Sequence, residues 1–225
     1  LDSITNGEIM KRTFLINGAS GGMIGAAYFR ELYLRKLKGE NIKLQSKEYV
    51  SDISGDLLNP LFTSFFARDL IAPAQKFSVG PYRYVKDRGY SFEQKLSENT
   101  RGFLDKQLRD YADEEKKARI PLMFFNSVIT RDSRKMIIST QPVRFMMRGQ
   151  VDTMSVPQAD PDAVDFVSFF QQQDPYNIRM LSALRMNATF PVVLPNVWLP
   201  SDPVIDVMDA GLRDNYGQET SLRFL

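Results

Sequence analysis

Apolar positions in this chain fall into short runs and helical repeats that alternate along its length. Thr13-Phe14-Leu15-Ile16 is a short apolar run with the composition of a buried strand. Glycines interrupt it, and from Met23 to Leu37 apolar residues recur at helical spacing. Met23, Ile24, Ala26, Ala27 and Tyr28 make the first turns apolar nearly all round, while Arg30, Glu31, Arg35, Lys36 and Lys38 crowd the end. This pattern predicts a helix buried under a sheet at its start and solvated at its end, with cations near the C-terminal dipole and Gly39 as the cap. Within 51–72, Leu57, Leu58, Leu61, Phe62, Phe65, Phe66 and Leu70 lie on one helical stripe. We read it as an ordinary core stripe, with a membrane-facing lid as the alternative.

Further along, residues 73–90 (Pro73, Gly80, Pro81, Gly89) read as an irregular connection, and helices are predicted over Ser91–Glu98 and Phe103–Arg119. Pro121–Thr130 and Lys135–Val143 read as two strands joined by a hairpin turn at Arg131-Asp132-Ser133-Arg134. A loop over 149–161 leads to a helix that Asp160-Pro161 opens and that runs to Gln172, followed by a short helix over Ile178–Met186. Pro191, Pro195, Pro200 and Pro203 punctuate the approach to a last strand, Val204–Met208, which stops at Asp209-Ala210-Gly211. Strands alternating with helices predict an α/β fold. A length of 225 residues suits one large domain or two small ones, and we take 1–225 as a single domain.

Composition narrows the chemistry more than the fold. The net charge of +2 gives no support for a nucleic-acid partner. Cysteine is absent, which excludes disulfides and thiolate chemistry and leaves the redox compartment unreadable. Histidine is absent too, removing the usual general base and the commonest metal ligand together. No Cys or His cluster suggests a metal, and we expect no cofactor. No apolar run is long enough to span a bilayer, and the start does not resemble a signal peptide. The chain begins at Leu1, not at methionine, so it reads as an excised piece whose targeting signals would lie outside it; its location stays open.

Gly18-Ala19-Ser20-Gly21-Gly22 fits G-x-S-x-G between a strand and a helix, the setting of a nucleophile elbow. Small residues on either side would let the backbone turn sharply around Ser20, and Gly21 N–H at the helix start could face an oxyanion. An idle serine in a glycine turn is the plain alternative. Without histidine, a carboxylate or lysine must activate Ser20. Strand C-termini line the ligand crevice of α/β sheets, so Asp209, followed by Ala210 and Gly211, is best placed. Asp206 lies inside the strand and Asp214 beyond the turn.

These residues resemble the patatin-like phospholipases. Gly18-Ala19-Ser20-Gly21-Gly22 matches that family's nucleophile motif. Leu184-Arg185-Met186-Asn187-Ala188-Thr189-Phe190-Pro191 resembles the segment ending in Phe-Pro ahead of its second motif, and Asp209-Ala210-Gly211 with Asn215 resembles that second motif. Asp87-Arg88-Gly89-Tyr90 and Asp56-Leu57-Leu58-Asn59-Pro60 are similar to a bacterial branch of the family. The likeness runs from about Arg12 to Gly217. It implies a three-layer α/β fold around a central mixed sheet, with the elbow between a strand and a buried helix. It also implies a Ser–Asp dyad, Ser20 as nucleophile and Asp209 as base, hydrolysing a lipid or phospholipid acyl ester with peripheral membrane contact. Two departures stand out. Asp-Ala-Gly replaces Asp-Gly-Gly, and only Gly7 lies upstream where the family carries a glycine-rich oxyanion loop, so this chain is expected to lack that segment. Two other readings remain: an α/β-hydrolase whose histidine lies beyond Leu225, and a non-catalytic patatin-like interaction domain.

Overall fold

The computed structural model describes residues 2–57, 59, 63, 76–79, 82–85, 87–148, 161–191 and 193–225. In chain order these form α1 (Ile9–Arg12), β1 (Leu15–Gly18), α2 (Ser20–Leu37), α3 (Lys47–Ile53), β2 (Lys76–Val79), β3 (Tyr82–Val85) and α4 (Arg88–Asn99). Then follow α5 (Arg109–Lys116), β4 (Leu122–Ile129), β5 (Lys135–Ile138), β6 (Ala163–Asp165), α6 (Phe166–Phe169), α7 (Met180–Asn187), β7 (Val197–Leu199), β8 (Ile205–Met208), α8 (Gly211–Asp214) and α9 (Gln218–Phe224). The fold is α/β, with a mixed open sheet of six strands.

β4 is the spine of that sheet and is buried along nearly its whole length. β5 pairs with it antiparallel, as the hairpin reading expected, and β6 pairs parallel with β5. The opposite edge of β4 is used twice. Phe125 pairs with both Gly18 and Ile138, and Val128 with both Lys135 and Met208, so β1 and β8 share the edge away from β5. β1 runs parallel to β4 and β8 antiparallel, so the two strands point at each other head to head. Between their last paired residues β4 contributes only Asn126 and Ser127, a gap of about 10 Å at strand rise.

Side chains alternate across β4, which puts a core on each face. Met123, Phe125 and Ile129 join Met23, Ile24, Ala27, Leu181 and Leu184 of α2 and α7 in the larger core. Phe124 turns the other way, with Ile137, Val143, Met146 and the ring of Phe224 in α9.

Several elements differ from the sequence reading. The first strand is Leu15–Gly18, later than Thr13–Ile16, because the Thr13 hydroxyl donates to the Ile9 carbonyl and closes α1 first. α2 begins at Ser20 itself, not Met23, and Gly39 (φ 91) ends it as expected. The end of α2 is less wet than its charges suggest: Arg30 and Glu31 are buried against Glu115, Lys106 and Tyr111. The helix expected over 103–119 is shortened to α5, because main-chain bonds tie Leu108 to Ile178 and Met180 to Lys106, and Ala118 (φ 51) stops it. The helix expected up to Gln172 is instead β6 and the single turn α6, where Asp165 accepts from Val167 N–H and ends the strand. The irregular connection over 73–90 contains the β2–β3 antiparallel ribbon and the start of α4. The apolar stripe over 51–72 and the loop over 149–161 lie mostly outside the described residues.

Candidate functional site

The head-to-head strands bring the two sequence-predicted groups to one place. Ser20 follows β1 by two residues and opens α2; Asp209 follows β8 directly. Ser20 adopts φ 55, the left-handed region that a serine enters only when its surroundings force it, at a cost of about 1–3 kcal/mol. Such strain persists only where the surrounding structure fixes it, here at the turn from β1 into α2. Gly18, Gly21 and Gly22 do not carry the turn by positive φ, and a Cβ at Gly21 or Gly22 would meet nothing within 4 Å. The glycines therefore leave open space around Ser20; they are not what bends the chain, as the motif had suggested.

The helix N-terminus is equally bare. Ala19 provides no side-chain cap, the first turn holds no acidic residue, and Gly21 and Gly22 are exposed. The N–H groups of that turn have no intrahelical acceptor and sit at the positive end of an 18-residue helix.

Asp209 is 3 % exposed. Its Oδ1 accepts from Gly211 N–H at 2.6 Å, while Oδ2 is buried without a hydrogen-bond partner among the described residues. Burial pushes its pKa above the ordinary carboxylate value; the Gly211 N–H and the Ser20 hydroxyl pull it back. Ser20 is thus close enough to act on the carboxyl, yet the pair falls short of a formed hydrogen bond. The rival carboxylates are engaged elsewhere: Asp206 accepts from Thr130 and Asn196, and Asp214 from Thr220 and Glu219 N–H.

The residues after Asp209 hold its pose. Ala210 is buried, and its N–H donates to the Asn187 carbonyl at 3.2 Å. At Gly211 a Cβ would stand 2.8 Å from Asp209 Oδ1 and 2.9 Å from Asn215 Oδ1. Gly211→Ala should therefore displace the carboxylate; on the reading of Ser20 and Asp209 as a catalytic pair, it should lower kcat by about 100-fold with KM little changed. Steady-state kinetics check this; a kcat within about threefold of the parent would contradict it.

The sequence did not single out Asn17, Asn126 and Thr220, the polar side chains beside the gap between the two strand ends. Asn126 donates to Asn17 Oδ1 at 2.7 Å and to Thr220 Oγ1 at 3.1 Å, and Asn17 donates to the Gly217 carbonyl, so α9 is tied to the nucleophile strand. Asp87 caps α4 and pairs with Arg185 at 3.0 Å, whose guanidinium fills the space a Cβ at Gly89 would need. Asn17 and Asn126 show in the sequence only as polar side chains within apolar strands, whereas Asp87 and Arg185 lie in two of the segments that carry the family resemblance.

Among the described residues no group of His, Cys, Asp and Glu could hold a metal ion, and no helix is long and apolar enough to cross a membrane. No protein-family model, curated protein or solved structure matches the chain.

Proposed function

We propose that this chain is a patatin-like serine hydrolase of lipid acyl esters, phospholipase A-like, working through an acyl-serine intermediate. The observation that carries the reading is Ser20, held at φ 55 on an uncapped helix N-terminus and near enough to act on the buried carboxyl of Asp209, whose Oδ2 has no hydrogen-bond partner among the described residues. In the first half-reaction Asp209 takes the Ser20 proton as Oγ attacks the ester carbonyl carbon. Gly21 N–H and the α2 dipole stabilise the oxyanion. The C–O bond to the alcohol breaks, and the alcohol leaves with the proton from Asp209. In the second half-reaction Asp209 takes a proton from a water as it attacks the acyl carbon; the C–Oγ bond then breaks, Ser20 Oγ takes the proton back from Asp209, and the fatty acid leaves.

The surface beside Asp209 suits an apolar acyl chain. Phe190, Leu212 and Tyr216 are 59, 55 and 79 % exposed, and Phe190 and Leu212 lie on the segments whose main chain bonds to Asp209. Exposed apolar side chains on the segments bonded to Asp209 suit a substrate drawn from a membrane or micelle. A three-layer fold of the patatin type belongs to the same proposal.

The test is hydrolysis of a nitrophenyl butyrate and of phosphatidylcholine in mixed micelles. Fatty acid release that Ser20→Ala reduces to the uncatalysed rate is expected. Turnover that survives Ser20→Ala, or none with either ester, would contradict the reading.

A further inference from the structure

Asn187, the last residue of α7, is fully buried and touches both halves of the candidate dyad's scaffold. Its side-chain Nδ2 donates to the Gly18 carbonyl at 3.1 Å and to the Asn126 carbonyl at 2.9 Å. Its own carbonyl accepts from Ala210 N–H at 3.2 Å. Gly18 ends the strand that presents Ser20, Ala210 follows Asp209, and Asn126 lies in the gap between the strands. Both amide protons go to the sheet, where the interrupted ladder would leave buried carbonyls without a donor.

We propose that Asn187 is a positioning residue that fixes the separation of Ser20 and Asp209 by bracing both strand ends against β4. This rests on the ester-hydrolase reading above. The side chain never meets substrate; it acts through the main chain of Gly18 and Asn126, while its backbone steadies the Asp209 turn.

Asn187→Asp keeps the shape and makes the brace titratable. Protonated, the carboxyl donates to one of the two carbonyls; ionised, it repels both, and burial among carbonyls holds its pKa high. Labelling of Ser20 by a fluorophosphonate, as a ratio to the parent at each pH and at equal folded fraction by circular dichroism, reads the effect. The ratio should stay near one at about pH 5 and fall at least about tenfold by about pH 8. Asn187→Ala should slow labelling at least about tenfold, but add nothing in an Asp209→Asn background, where no base remains to position. Equal slowing in both backgrounds, or a ratio that ignores pH, would overturn the proposal. Where Asn187→Ala does not fold, the Asn187→Asp pH ratio decides alone. Labelling that survives Ser20→Ala would strike the hydrolase reading itself; labelling that needs Ser20 yet ignores Asn187→Asp at both pH values would strike only this inference.

Discussion

Asp209→Asn is expected to lower kcat for ester hydrolysis by about 10²- to 10⁴-fold, the usual worth of a positioned general base, while making the protein more stable at neutral pH. The loss follows from chemistry, since the amide cannot take the Ser20 proton. The gain follows from linkage. Burial raises the folded-state pKa of Asp209. The stability attached to such a group is present in full below its unfolded value and is lost as pH rises through the folded one. Ionised Asp209 therefore works against folding at neutral pH. The amide carries no charge, and its oxygen can still accept from Gly211 N–H. The stabilisation should thus appear at neutral pH and vanish in acid below about pH 4. Thermal melts across pH, paired with kcat, check both halves. A variant no more stable than the parent at neutral pH, or one keeping turnover within about tenfold, would contradict the argument.

The largest stability effect is expected from Arg30→Met. Arg30 is 1 % exposed in the middle of α2, paired with Glu115, which also accepts from Thr140. It donates to the Pro121 carbonyl at 3.0 Å and lies over the Tyr111 ring at 4.7 Å. Burial already pushes the Glu115 carboxyl up, and Arg30 is the main group holding it down. Methionine fills similar space but strands that carboxylate, and breaking a buried pair costs about 3–5 kcal/mol. For a chain of this size the midpoint should fall by about 10 °C. Because Arg30 removal raises the folded pKa of Glu115 further, the deficit should grow as pH rises from acid to neutral. Arg30→Met with Glu115→Gln should recover most of the loss, since glutamine can still accept from Thr140 and carries no charge. A single variant within about 1 kcal/mol of the parent, or a double variant worse than the single, would show that the pair does not hold the helix as described.

Arg30 also marks where sequence reading reached its limit. Charged residues at the end of an apolar helix read as solvated, and only partners far along the chain, Glu115 for Arg30 and Tyr111 for Glu31, reveal that they are buried. The strand-to-helix turn at Ser20 was legible because strand, glycine-flanked serine and helix occupy one short stretch of chain. The strand end at Asp209 was legible because an apolar run stops at a polar residue. What brings them together was not. It depends on β1 and β8 sharing one edge of β4, and that register is set by pairing across distant segments, not by any local pattern. The same cause shortened the helix expected over 103–119: its charges suit a helix, but the main chain at 106–108 is committed to bonds with 178–180. Asn187 sat inside a segment noted for its family likeness, yet nothing in its spacing said that its amide would reach Gly18 and Asn126.

The central claim is that Ser20 is a nucleophile activated by Asp209. Its most direct test is intact-protein mass spectrometry after exposure to a fluorophosphonate, with peptide mapping of the adduct. One adduct per chain, mapped to Ser20, absent in Ser20→Ala and formed at least about 100-fold more slowly in Asp209→Asn, is the predicted result. An adduct on another residue, or labelling of Ser20 that is indifferent to Asp209→Asn, would contradict it.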